Sequence, residues 1–206
     1  MSIKKVYLIV LAILAITVSA NADTLYLTGT SNNVNLTGQV YISPYYGVLN
    51  GSNVAVYCVD PNDESYLGQN NGWLVDETVL GASNDLSNTY LGNAGRAQYE
   101  EMAYLLFDTG YNSMSLANQQ AIQAAVWYIA AEYKGGSIYG QDNSWVTDAQ
   151  NNYMNGNYSN ILILSQDAVS LPNQEFMTQV PEPSTMLLFG SGLIGLAGFA
   201  RRKFKK

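Results

Sequence analysis

Residues 115–136 read SLANQQAIQAAVWYIAAEYKGG. Ile122, Ala125, Val126, Ile129 and Tyr133 recur at helical spacing on one face. Ser115 is placed to cap the first turn, and Gly135-Gly136 ends the run, which predicts a helix over 116–133. Working outward, Tyr99, Met102, Leu105 and Leu106 give a shorter helix over 98–108 that Gly110 stops. Before it, the pattern changes to short alternating runs bounded by Gly and Asn: 24–28, 34–36, 39–42 and 54–59, with Asn50-Gly51 as a turn. Residues 60–95 read mostly as loop with one strand over 73–79, and a last strand covers 161–164. The polar segment 165–179 reads as a lead-out from the body. Strands gathered around a helical middle predict an α+β fold, an antiparallel β-sandwich or barrel with a small helical subdomain.

The two ends are of another kind. Lys4 and Lys5, an apolar run from Val6 to Val18 and the small-residue stretch Ser19-Ala20-Asn21-Ala22 make a secretory signal peptide over residues 1–22. At the other end Pro181-Glu182-Pro183 precedes an uncharged, glycine-rich stretch over 186–200 and the basic tail from Arg201 to Lys206. Such a tail holds its end in the cytoplasm and leaves the body outside. The stretch is short enough to suit temporary membrane retention. One domain over residues 23–180 is expected between the two signals, its last residues a polar linker.

Composition narrows what that body can do. Of nine Lys and Arg, only Arg96 and Lys134 lie within it, against all but one of the sixteen Asp and Glu. A surface this acidic repels phosphate backbones, so no nucleic-acid partner is expected. The absence of histidine removes Ser-His and Cys-His triads. With a lone cysteine it also leaves no usual zinc set, and no metal or cofactor is expected. Glu100 and Glu101 are helix neighbours that point to different faces, which reads as a solvated surface rather than an acid and base. Residues 60–64, with Asp60, Asp63 and Glu64, lack the EF-hand spacing and read as a turn, calcium binding there being left open.

A single cysteine in an exported chain has no internal partner, so Cys58 is a small core residue, an intermolecular bridge or a reagent. The two ends of the chain and two internal motifs carry resemblances that bear on this choice. The triplet Pro181, Glu182 and Pro183 with the apolar stretch and basic tail resembles the PEP-CTERM sorting signal of Gram-negative bacteria. That resemblance implies an exosortase-type protease as partner, a transmembrane helix anchoring the chain at the inner membrane before processing, and delivery to the cell surface or extracellular matrix. Tyr57-Cys58-Val59 and Gln123-Ala124-Ala125-Val126-Trp127 resemble the signatures of thioester domains in bacterial surface adhesins, although the family has Thr where this chain has Ile122. The resemblance implies a thioester cross-link between Cys58 and Gln123, with Tyr57, Gln98 and Trp127 as supporting residues.

These readings together make the chain an adhesin that would attach covalently to surface protein amines or polysaccharide hydroxyls. Because Cys58 would be consumed in the process, it would not be an enzyme. The alternative is a structural protein that binds exopolysaccharide in a biofilm matrix without covalent chemistry, with Cys58 and Gln123 as ordinary core residues.

Overall fold

The computed structural model describes residues 23–31, 41–65, 67–68, 72–81, 84–133, 143–166 and 174–180. The signal peptide, the strand expected over 34–36, the Pro-Glu-Pro triplet and the apolar stretch 186–200 lie outside the described residues. Among the described residues no helix is long and apolar enough to cross a membrane.

Six strands form a closed barrel: β1 Asp23–Thr30, β2 Tyr45–Leu49, β3 Ser52–Cys58, β4 Trp73–Val79, β5 Ile161–Gln166 and β6 Phe176–Gln179. Their order around the barrel is β1-β2-β3-β6-β5-β4, and every neighbouring pair is antiparallel. Of the two architectures the sequence allows, the molecule takes the barrel. Asn50 (φ 51°) and Gly51 (φ 80°) link β2 to β3 in a two-residue turn, where a positive φ at both positions matches the twist of the flanking strands.

Two strands carry no signal in the sequence. In β2, Gly47 breaks the apolar pattern, and the reason is contact: a Cβ there would stand 2.6 Å from the Tyr26 carbonyl oxygen of β1. The second, β6, corrects the expectation of a polar lead-out over 165–179. Phe176 and Met177 are fully buried and pair with Cys58 and Tyr57 of β3, which closes the barrel. Register places Cys58, Val56, Tyr45 and Phe176 on one face, since directly paired residues share a face. That face is the barrel interior, where the Phe176 ring meets Tyr45 edge-on at 5.7 Å and lies 6.4 Å from Trp73. Ile161, Ile163, Met177 and Tyr57 occupy the opposite face and are buried as well. β5 is thus covered on both sides, which explains its unbroken apolar run Ile161–Leu164.

The covering layer is helical. Helix α1, Arg96–Ala103, runs into a π-helical turn over Tyr104–Asp108 and is followed by α2, Leu116–Tyr133, and α3, Asn143–Asn152. Ser115 caps α2 through its Oγ, 3.4 Å from the Asn118 N–H. The amphipathic reading of α2 is too modest: every residue from Ile122 to Trp127 is buried, so this is a central helix. α3 is absent from the sequence reading because its Asn, Asp and Gln content hides a buried pair, Val146 and Ala149. Glu101, expected on a solvated face, is also buried.

Candidate functional site

Cys58 is the last residue of β3, at the point where the strand leaves the barrel wall, and Gln123 lies near the middle of α2. The fold brings them together. The Gln123 Nε2 donates to the Cys58 carbonyl oxygen at 2.9 Å, across 65 residues of chain. Its Oε1 accepts from the Ser43 backbone N–H at 3.1 Å. Ser43 closes the ring, because its Oγ accepts the Cys58 N–H at 2.9 Å. Behind it, the Tyr111 hydroxyl donates to the Ser43 carbonyl at 2.8 Å, and the Gln119 Nε2 donates to the Tyr111 carbonyl at 3.1 Å. Cys58, Gln123 and Ser43 have no exposed surface at all.

The electrostatics follow from that burial. The Cys58 thiol donates to the Asp60 carbonyl oxygen at 3.2 Å. Removal from water pushes its pKa up to about 12, an effect that the neighbouring Trp127 side chain partly offsets. The neighbouring carboxyls of Asp60 and Glu175 are buried too, which raises Asp60 to about 6 and Glu175 to about 7. Glu175 accepts from the Tyr90 N–H, the Tyr99 hydroxyl and the Ser165 hydroxyl, and its own carbonyl accepts the Val59 N–H at 3.0 Å. The thiol is thus held protonated among acids that share the same dry surroundings.

Of the supporting residues expected from sequence, Trp127 stands one turn beyond Gln123, fully buried and against the sulfur. Tyr57 faces away from the cysteine side chain. Its hydroxyl accepts from the Asn112 Nδ2 at 2.6 Å, and its ring packs edge-on against Phe107 and Tyr111. Gln98 lies on α1 with its Oε1 buried and unpaired, and no hydrogen bond among the described residues joins it to Cys58 or Gln123. No group of three or more His, Cys, Asp or Glu among the described residues is arranged to hold a metal ion, and the Asp60 carboxylate accepts the Asn62 N–H as a turn would require.

A groove of about 560 Å³ runs between the outer face of the barrel wall and the π-helical turn, and neither Cys58 nor Gln123 lines it. Tyr57, Phe107 and Tyr111 supply its aromatic surface, and Asn53, Asn112 and Gln179 stand exposed in its lining. Among the described residues no charged side chain lines it.

Ser43, Tyr111, Gln119 and Glu175 were not singled out by sequence as parts of this site. Ser43 meets Gln123 and Tyr111 through its backbone, which no side-chain pattern reports, and Glu175 lies in the segment that reads as a lead-out.

The chain carries a PEP-CTERM protein-sorting motif at residues 179–203. The match spans the Pro-Glu-Pro triplet, and such a motif implies export, membrane anchoring before processing by exosortase, and then the cell surface. No curated protein matches the chain. Among solved structures it is similar to the N-terminal thioester domain of a surface protein from Clostridium perfringens, with 14% identity and a TM-score of 0.41 over 77% of this chain and 98% of that one.

Proposed function

We propose that this protein is a surface adhesin that forms an internal thioester between Cys58 and Gln123 and transfers the Gln123 acyl group to a nucleophile on another surface. The observation that carries this reading is the Gln123 carboxamide held between the Cys58 backbone carbonyl and the Ser43 N–H with no exposed surface. Only a thiol and a carboxamide are needed. The Cys58 sulfur bonds to the Gln123 Cδ, the thiol proton passes to Nε2, the C–N bond breaks and ammonia leaves. Placement of both groups on packed elements supplies proximity, and burial protects the product from water. An amine would then add to the same carbon, and the C–S bond would break as the amine proton returns to sulfur. Cys58 would be freed once, so the protein is a single-use acyl donor rather than a catalyst.

Intact mass of the chain tests this. The expected result is a deficit of one ammonia that is missing from Cys58→Ala and is replaced by the mass of methylamine after incubation with that amine. A full mass with a titratable thiol would sink the proposal.

The groove supports a second reading, non-covalent binding of matrix polysaccharide. The exposed amides and the partly exposed Phe107 ring suit an uncharged polyhydroxylated chain, which this lining would hold without any ionic contact. If that is the whole function, Cys58→Ala binds polysaccharide as the parent does and no mass deficit exists. The adhesin and the matrix protein share export, and the same motif at 179–203 would release either to the matrix of a Gram-negative cell.

A further inference from the structure

The Gln123 amide has only one possible orientation. Its two neighbours are a backbone N–H, which can only donate, and a backbone carbonyl, which can only accept, so Oε1 must face Ser43 and Nε2 must face Cys58. The oxygen that would gain charge during acyl transfer therefore already sits on a donor, and the nitrogen that would leave sits on an acceptor. Ser43 is itself fixed at three points: its N–H on Gln123, its Oγ on the Cys58 N–H and its carbonyl on the Tyr111 hydroxyl. All of this is out of water, where a fixed donor does more for a developing oxyanion than solvent can.

We propose that the Ser43 N–H is the oxyanion donor for acyl transfer at Gln123 and that Tyr111 is its positioning residue. The assignment rests on the thioester reading above. When the Cys58 sulfur adds to Cδ, the carbonyl electron pair moves onto Oε1 and is met by the Ser43 N–H. As the C–N bond breaks, that pair returns to restore the carbonyl, and ammonia carries off the thiol proton. The thioester keeps the same oxygen on the same donor, so the later attack by an amine is assisted in the same way, with sulfur leaving and taking up the amine proton. Tyr111 touches no reacting atom. It holds the Ser43 peptide from behind, and Gln119 in turn holds the Tyr111 backbone.

The test uses the full chain with a ¹³C label at Gln123 and reads two quantities: the thioester carbonyl stretch in the infrared and the rate of methylamine transfer by intact mass. An ester in place of the Ser43 backbone amide deletes the N–H and keeps the side chain. It is expected to raise the carbonyl stretch and slow transfer by about 10²-fold. Tyr111→Phe keeps the ring and loses the tether, and is expected to shift both quantities in the same direction by less. Ser43→Ala removes Oγ and its bond to the Cys58 N–H but keeps the Ser43 N–H, so its carbonyl stretch should move less than that of the ester chain. Thermal melts report whether each variant is folded, and Tyr111→Phe keeps the question open to refutation should the ester variant fail to fold. A parent-like stretch and rate in both the ester and Tyr111→Phe chains would overturn the role of Ser43 while leaving the thioester standing. Absence of the mass deficit from the parent chain would overturn both.

Discussion

At the scale of single residues, burial sets the behaviour of the site. Glu175 has three hydrogen-bond donors, yet desolvation still raises its carboxyl to about 7. A carboxyl whose folded pKa lies above its unfolded value binds its proton more tightly in the native state. The stabilisation is complete below the unfolded pKa, near 4.3, and is lost as pH rises through about 7. Asp60, raised to about 6 by burial, acts in the same direction over a lower window. Urea unfolding at a series of pH values should therefore show stability falling between about pH 5 and 8, by about 2 to 3 kcal/mol from Glu175 alone. Glu175→Gln should reduce that slope without abolishing it, since Asp60 and Glu77, raised to about 6 and about 7, titrate over the same range, and a parent profile already flat there would refute the assignment. Trp127 sets a second expectation. Trp127→Ala removes the largest fully buried side chain and should cost about 3 to 5 kcal/mol of stability. It should also shorten the life of the thioester in water, read as recovery of a titratable thiol, whereas Trp127→Phe should keep most of the packing. Cys58, Gln123 and Trp127 stand out in the sequence as candidates through the motifs at 57–59 and 123–127. Ser43 does not, because what it offers is a peptide N–H, and every residue except proline has one.

At the scale of elements, legibility followed the clarity of the hydrophobic period. β3, β4 and α2 announce themselves through alternation or helical spacing and fall within a residue or two of expectation. β2, β6 and α3 do not, since each owes its state to neighbours rather than to its own pattern. β2 shows this in one residue. Gly47 lies where β1 crosses close, so Gly47→Ala would set its Cβ against the Tyr26 carbonyl, a backbone atom that cannot swing away. The expected loss is about 1 to 3 kcal/mol, the usual cost of forcing atoms into a packed site. Gly29, on β1 of the same barrel, has open space at its Cβ position. Gly29→Ala should be neutral or should stabilise by about 0.4 to 1 kcal/mol, because it restricts the unfolded chain without a clash. Urea midpoints of the two variants measure the contrast, and equal midpoints would mean that β1 and β2 can separate to admit the methyl group.

For the whole molecule, the question is where the folded body stops and the sorting signal starts. The sequence suggests a polar linker between them, but β6 occupies residues 176–179 of that interval. Phe176 supplies part of the barrel interior, Val59 bonds to the Glu175 carbonyl, and the Val180 N–H donates to the Asn160 carbonyl at 2.8 Å. The sorting motif match begins at residue 179, inside the strand that closes the barrel. Sequence leaves no spacer between Val180 and Pro181 of the triplet. A chain ending at residue 180 should thus keep its cooperative urea transition, because every barrel strand remains. A chain ending at residue 173 loses β6, which exposes the edges of β3 and β5, uncovers the interior face of Cys58 and removes the Glu175 carbonyl from Val59. It should lose the cooperative transition and leave Cys58 open to thiol reagents. Thiol titration in parallel with urea unfolding distinguishes the two ends. A cooperative, thiol-protected chain at 173 would show that five strands suffice and would return residues 174–180 to the role of linker.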